Sequence, residues 1–385
     1  MRRLLLSALF LTAHALAAQS KLAKPVIDTV NHHIVRVMSG GPTAWADTSG
    51  WRLVYERTVQ PPDGSTGMLE RPRQILLLPD GSLIAAQRNP AVIKLYDPQG
   101  KFVRNIGREG AGPGEFRAPQ LVLFRDTLVI HDANLGRAAL WTADGKFVRQ
   151  FLTNVHYDGP PVSMDDKGRL RVQTPRASAG MFGSQWTYFD LTGKRVDSIV
   201  PPEVAKVKNW EAKVPGGFSQ SSVPFSPFNF YAFLRDGSIV YGGTDRYLMF
   251  VTRTGHDTVR MFGRTGLDVI AIPAAVRDSQ FRSATQDPNI RAVAAESDIP
   301  RTYALWGGFS VDGNGNTWVV PGGPPWAAAK WFDVFDPSGR FLGAVPAPFA
   351  AFSFASWASN RVAVLDNDEN GLPRVRIFRV DRRGK

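Results

Sequence analysis

Short apolar stretches separated by polar turns recur along most of the chain. The repeating unit is an apolar stretch, a polar turn, a second apolar stretch, a loop, a third apolar stretch, a turn of the form Asp/Thr-x-x-Gly and a fourth apolar stretch. The Gly turn is the clearest marker and occurs at 96–103, 141–148, 189–196, 251–259 and 335–342. Glycine supplies the positive φ that closes a tight hairpin, and alternating apolar residues after it indicate a half-buried strand.

A second turn lies upstream of each marker and sets the number of units. It is found at 79–81, 125–126, 165–168, 235–237, 312–315 and 358–360. Six turns predict six units, spaced by about 45 residues except where the chain is longer, and this period with four strands per unit is typical of a propeller. We therefore predict an all-β fold, a six-bladed β-propeller with four-stranded blades.

The last unit is one strand short. It offers three apolar stretches, around 352–355, 361–366 and 374–380, before the chain ends. The segment 51–59 precedes the first complete unit and alternates like a strand, so we expect it to be the outer strand of the last blade and to close the ring.

One domain, residues 51–381, accommodates all six units, and residues 19–50 form an N-terminal extension. Two insertions interrupt the repeat. Residues 264–305 contain two stretches with proline near their starts, which predicts short helices between blades four and five. Residues 201–230 are predicted to be a long surface loop. Both insertions either carry function or cap hydrophobic surface.

The first 18 residues have the pattern of a secretory signal peptide. Two arginines precede an apolar segment of ten residues and then Ala15–Ala18. Ten residues are too few for a membrane-spanning helix, which needs about 20, and no later stretch qualifies as one. We expect a periplasmic or extracellular protein without a membrane span, and a monomer.

Composition excludes several classes of chemistry. The chain has no cysteine, which excludes disulfides and thiolate metal sites. Hydrophobic residues make up 43% of the 385 residues, enough for a large core. The net charge is +12, which favours acidic partners, but no run of basic residues supports nucleic-acid binding.

The connections that enter the first two blades share a spacing of Gly, an apolar residue and Pro. It reads Gly67-Met-Leu-Glu-Arg-Pro72 before blade one and Gly114-Glu-Phe-Arg-Ala-Pro119 before blade two. Together with Asp132, Asn134 and Arg137, these residues resemble the NHL-repeat family of six-bladed propellers. The resemblance covers about residues 64–381 and implies an architecture rather than an activity.

His131, Asp132 and Asn134 are candidates for a metal site or for a structural brace. An imidazole, a carboxylate and an amide at the end of a strand suit a divalent cation such as Ca²⁺ or Mg²⁺. In NHL-like repeats, however, the short polar residues at this place cap backbone amides. Bracing is the interpretation we favour, with no metal and no cofactor.

Four arginines lie where the chain enters a blade: Arg71, Arg73, Arg117 and Arg301. If these places surround one mouth of the central channel, their guanidinium groups could bind an anionic ligand, because arginine pairs with carboxylate and phosphate through two hydrogen bonds. The alternative is that each arginine pairs with a nearby acid. Glu70, Glu115 and Asp298 are the closest in sequence.

An aromatic segment, 321–331, replaces a short hairpin turn in the fifth unit, and its Trp326 suits a sugar or a protein. We therefore hypothesise a binding or scaffold protein for a protein, a peptide or an envelope glycan, without catalysis. Arg71, Arg73, Arg117, His131, Asp132, Asn134, Arg137, Arg301 and Trp326 are its candidate ligand-binding residues. The alternative hypothesis is a metal-dependent enzyme of the lactonase or lyase type acting at the channel mouth.

Overall fold

The fold is a ring of six antiparallel four-stranded blades, described by a computed structural model for residues 25–31, 33–40, 50–176, 184–234, 236–350 and 355–382. In blades one to five the strands pair in sequence order, so each blade is a simple meander. The predicted six-bladed propeller is confirmed. The proposed signal peptide, residues 1–18, lies outside the described residues.

The strands are numbered in chain order. Three precede the first blade: β1 (Val26–Val30), β2 (Ile34–Ser39) and β3 (Trp51–Val59). Blade one contains β4 (Pro72–Leu77), β5 (Leu83–Gln87), β6 (Val92–Tyr96) and β7 (Phe102–Ile106). A short pair follows, β8 (Arg108–Glu109) and β9 (Glu115–Phe116). Blade two contains β10 (Pro119–Phe124), β11 (Thr127–Asp132), β12 (Arg137–Thr142) and β13 (Phe147–Leu152). Blade three contains β14 (Ser163–Met164), β15 (Leu170–Pro175), β16 (Ser184–Phe189) and β17 (Arg195–Ile199).

The second half of the ring begins after an inserted hairpin, β18 (Asn209–Val214) and β19 (Gly217–Ser222). Blade four contains β20 (Asn229–Phe233), β21 (Ile239–Gly243), β22 (Leu248–Thr252) and β23 (Thr258–Arg264). Helices α1 (Ala274–Ala284) and α2 (Pro288–Val293) follow. Blade five contains β24 (Trp306–Val311), β25 (Thr317–Pro321), β26 (Trp331–Phe335) and β27 (Phe341–Pro346). Blade six contains β28 (Ala355–Ala358), β29 (Arg361–Asn367) and β30 (Pro373–Arg382).

The ring closes as expected, because β3 is the fourth strand of blade six. It pairs antiparallel with β30, with Leu53 opposite Val380 and Val59 opposite Val375. An ion pair of 3.1 Å between Arg52 and Asp381 spans the same two strands. The two ends of the propeller are thus held in one sheet.

The N-terminal hairpin of β1 and β2 adds two strands to blade four, which the sequence did not lead us to expect. β2 runs parallel to β23, with Val35 opposite Arg260 and Ser39 opposite Arg264. Val37 is buried there against Phe262. Blade four therefore belongs to a six-stranded sheet.

The core lies between neighbouring blades, which stack face to face. Ile84 and Ile93 of blade one pack with Leu128 and Ile130 of blade two, and all four are buried. Because a blade is covered on both faces, its middle strands are almost continuously apolar, as β5 shows.

The marker glycines lie where each blade packs against the one before it. Gly145 has φ of +80°, and a Cβ there would lie 2.8 Å from Ile106 in the fourth strand of blade one. Gly339 has φ of +87°, and its Cβ would lie 2.5 Å from Phe262 in blade four. These turns therefore need glycine both for backbone conformation and for space.

The two insertions pack on each other. The predicted loop 201–230 contains the hairpin of β18 and β19. In β18, Trp210 and Ala212 are buried while Glu211 and Lys213 are exposed, which is the alternation of a strand. Trp210 and Val223 of the first insertion form a small core with Ile290 and Ile299 of the helical insertion. Within the described part of the chain, no helix has the length and hydropathy needed to cross a membrane.

Candidate functional site

Strand direction divides the propeller into two faces. The turns between first and second strands, and between third and fourth strands, lie on one side, which we call the turn face. The turns between second and third strands and the connections between blades lie on the other, the connection face. All nine candidate residues belong to the connection face or to strand ends beside it. Longer loops gather there, so this face has the room to form a site.

The carboxylate of Asp132, the last residue of β11, forms hydrogen bonds with backbone amides of two loops. It accepts hydrogen bonds from the amides of Arg117 at 2.5 Å and Ala118 at 3.3 Å in the connection entering blade two. It also accepts from the amides of Asn134 at 2.9 Å and Leu135 at 3.1 Å. This buried carboxylate accepts hydrogen bonds from four backbone amides, which is what a structural brace would do.

Arg137 braces the glycine-rich connection 107–114. Its guanidinium donates to the carbonyl oxygens of Ala111 at 2.9 Å, Gly112 at 2.7 Å and Glu115 at 2.7 Å. The side chain is buried by these contacts. Because all three partners are backbone groups of one loop, Arg137 shapes the connection face and does not present its charge to it.

His131 is completely buried between blades two and three. Its Nε2 lies 3.2 Å from the Thr153 hydroxyl, and its Nδ1 has no hydrogen-bond partner among the described residues. Burial lowers the pKa of His131 to about 4, although Asp132 and Asp158 oppose the change. The imidazole is thus neutral at pH 7 and closed to solvent. In the described segments, no three His, Asp or Glu side chains are grouped so that they could hold a metal ion.

The four entrance arginines are exposed. Within the described ranges, none of Arg71, Arg73, Arg117 and Arg301 forms an ion pair or donates a side-chain hydrogen bond. The acids that we considered as partners are engaged elsewhere in two cases: Glu115 binds Arg108 at 2.7 Å, and Asp298 binds Lys208 at 2.5 Å. The amide of Gly112, together with Arg108, lowers the pKa of Glu115, which keeps this carboxylate ionised. Neither of these two acids therefore pairs with Arg117 or Arg301, as the alternative required.

A polar cluster near Arg73 was not apparent from the sequence. Asp158 pairs with Arg88 at 2.6 Å and accepts from the Gln120 amide at 3.2 Å. Burial alone would raise the pKa of Asp158, but the hydrogen bond and charge of Arg88, with smaller contributions from Gln120 and Arg73, lower it. Asp158 lies in an irregular connection, 153–162, where no periodic pattern marks a residue as part of a site.

Trp326 is 63% exposed at the tip of the turn between β25 and β26. Its ring lies 6.1 Å from Tyr303 and 6.5 Å from Phe225, in edge-on arrangements. Tyr303 and Phe225 also contact each other edge to face at 5.5 Å. The indole therefore contacts two rings while most of its surface stays exposed.

Comparison with known proteins supports the fold and leaves the family open. No protein-family model matches the chain, and no curated protein matches it. A predicted exported protein from Bacteroides fragilis has a similar structure, with a TM-score of 0.52 and 12% identity over 91% of this chain and all of the other. A member of the DUF4221 family from Bacteroides vulgatus gives a TM-score of 0.49 and 11% identity, over 87% of this chain and all of the other. The calcium-binding protein regucalcin from Agrobacterium tumefaciens gives 0.37 and 13%, over 79% and 89%. At 12% identity, the likeness to the exported protein shows the fold alone.

Proposed function

We propose that this chain is an exported binding or scaffold protein without catalysis. Its connection face binds an acidic ligand, which is a protein, a peptide or an envelope glycan. The observation that carries the proposal is the set of exposed arginines where the chain enters blades one, two and five. Within the described ranges, no carboxylate pairs with any of the four.

Exposed guanidinium groups without acid partners favour an external anion. Arginine presents a planar set of donors that matches a carboxylate or phosphate, and it gives up its hydration more readily than lysine. The net charge of +12 adds a long-range attraction for acidic partners. Blades two and five are opposite each other in a six-membered ring, so Arg117 and Arg301 suit a ligand that extends across the channel mouth.

The alternative, a metal-dependent lactonase or lyase, draws less support from the candidate residues. It would need His131 and Asp132 near the metal. The carboxylate of Asp132 accepts four backbone amides, and the ring of His131 is buried. These contacts favour a structural role for both residues.

Export is part of the proposal and rests on the sequence of residues 1–18, a charged start followed by an apolar segment. Cell fractionation with a tagged chain tests it, and a chain found only in the cytosol would refute it.

The binding proposal is tested with two defined polyanions, poly-L-glutamate and a short oligogalacturonate, by calorimetric titration of the purified protein. We expect at least one to bind, with an affinity that falls as salt is raised. The triple variant Arg71→Gln/Arg73→Gln/Arg117→Gln should weaken binding by about tenfold or more.

The matched control removes the same charge from the turn face, through Lys101→Gln, Lys194→Gln and Arg340→Gln. All three residues are exposed in turns between third and fourth strands. Unchanged binding in the control with a loss in the entrance variant supports a site on the connection face. An equal loss in both variants would mean that net charge alone attracts the ligand and would refute the site. Binding that disappears on chelation of metal ions would contradict the absence of a cofactor.

A further inference from the structure

We infer that the ligand of the connection face is an acidic oligosaccharide, which stacks a sugar ring on Trp326 and places carboxylates on the entrance arginines. This inference rests on the proposed function and narrows its ligand to one class. It is drawn from the support of the indole, the position of Arg301 and the spread of charge around the mouth.

The indole is held in position before any ligand arrives. Its turn, 321–330, contains three prolines, at 321, 324 and 325, which limit backbone freedom. The amide of Gly322 donates a hydrogen bond to the carbonyl oxygen of Leu305 at 2.9 Å, and the amide of Ala327 donates one to the carbonyl oxygen of Pro324 at 2.9 Å. A platform that is already ordered loses little conformational entropy on binding.

Arg301 lies two residues before Tyr303, which contacts Trp326. The segment is held by residues 270–272: the carbonyl oxygen of Arg301 accepts a hydrogen bond from the amide of Ile272 at 2.8 Å, and the amide of Tyr303 donates to the carbonyl oxygen of Ile270 at 2.9 Å. Arg301 itself is exposed, so its charge is available next to the residue that contacts the indole.

An exposed indole and an exposed arginine two residues from the tyrosine that contacts it suit an acidic sugar. A pyranose ring has one face of C–H groups, which are attracted to the negative face of an aromatic ring. A uronic acid also carries a carboxylate, which arginine binds through two hydrogen bonds. The apolar side chains of an acidic peptide would instead be bound best in a closed pocket, where water is excluded. Trp326 is too exposed to form such a pocket.

The arrangement of charge favours an oligomer over a single sugar. Arg301 enters blade five, whereas Arg71 and Arg117 enter blades one and two on the other side of the ring. One small anion cannot contact both sides of a channel mouth. A chain with a carboxylate on each sugar can do so, and its contacts then add to one another.

The test is calorimetric titration of the protein with a short oligogalacturonate, its methyl ester and poly-L-glutamate. The ester keeps the sugar rings and removes the charge, and polyglutamate keeps the charge and removes the rings. We expect oligogalacturonate to bind about tenfold or more tightly than either control. Polyglutamate binding equally well would refute the glycan, and the ester binding equally well would refute the pairing with arginine.

Variants of the platform complete the test. Trp326→Ala and Arg301→Gln should each weaken oligogalacturonate binding by about tenfold, and Trp326→Phe should have a smaller effect. Tyr55→Ala is the control, because Tyr55 is an aromatic residue 54% exposed on the outer strand of blade six. Unchanged affinity in Trp326→Ala, with the same melting temperature as the wild type, would overturn the inference.

The two proposals fail in different ways. If polyglutamate binds through the entrance arginines and oligogalacturonate does not, the glycan inference is wrong and the proposed function stands. If neither polyanion binds, both are wrong.

Discussion

The buried imidazole of His131 should make folding stability depend on pH between about 6.5 and about 4. In the folded protein, burial lowers its pKa to about 4, from an ordinary value of 6.5. The unfolded chain therefore takes up a proton below about pH 6.5, and the folded protein does not until about pH 4. Because the unfolded state binds more protons in this range, the free energy of unfolding falls as the pH is lowered.

The expected loss follows from the difference between the two pKa values. At pH 5.5 it is about 1.4 kcal/mol, and at pH 4 it is about 3 kcal/mol. The Thr153 hydroxyl, 3.2 Å from Nε2, can accept a hydrogen bond from the neutral ring, but it carries no charge to balance an imidazolium. Asp132 and Asp158 favour the charged ring and His156 opposes it, and these effects are smaller than that of burial.

The assay is urea unfolding at pH 7, 5.5 and 4, comparing the wild type with His131→Gln. Glutamine keeps a polar group near Thr153 and does not titrate. Other acidic groups contribute to the pH dependence of both proteins, so the quantity of interest is the difference between them. We expect the wild type to lose about 3 kcal/mol more than the variant between pH 7 and pH 4. Parallel curves for the two proteins would show that His131 is not held neutral by burial.

Four further substitutions, in two comparisons, test the turns and the interior of the ring. Gly339→Ala should cost about 3 kcal/mol, since the new Cβ meets another blade, whereas Gly371→Ala, with φ of +80° but open space around it, should cost about 1 kcal/mol. Asp333→Ala should cost about 3 kcal/mol or more because it leaves Arg264, 2.8 Å away, without its buried partner. Arg253→Gln, which breaks an exposed pair, should cost less than about 1 kcal/mol. Chemical unfolding measures all four, and equal losses within either comparison would contradict the reasoning.

The architecture was accessible from the sequence because its signals are local. A turn such as the one at Gly145 can be predicted from its glycine and from the alternation of apolar and polar residues that follows it. The closing strand β3 could be predicted because blade six lacked one strand and one strand was left over. The position of the β1–β2 hairpin could not, since its pairing with β23 joins residues more than 200 positions apart and no local rule selects that partner.

The candidate site could be predicted from the sequence only in part. The sequence identified the residues of the connection face, but it could not show which charges are already neutralised. Glu115 lies two residues before Arg117 in the chain, yet its carboxylate binds Arg108. Likewise, Asp158 gave no signal because its partners Arg88 and Gln120 come from two different blades. Such pairings depend on side-chain geometry that only the folded ring defines.

Closure of the ring by β3 has a consequence for the order in which the protein can fold. β3 is made before any of the blades, but its partner β30 is made last, and the pair Val54–Arg379 joins residues more than 300 positions apart. Contacts this distant form slowly, since the chain between them must first be ordered. A linear row of repeats frays from its two end units, whereas this ring has no end unit once β3 and β30 have paired. We therefore expect that pairing to be the final step of folding, and its rupture to be the first step of unfolding.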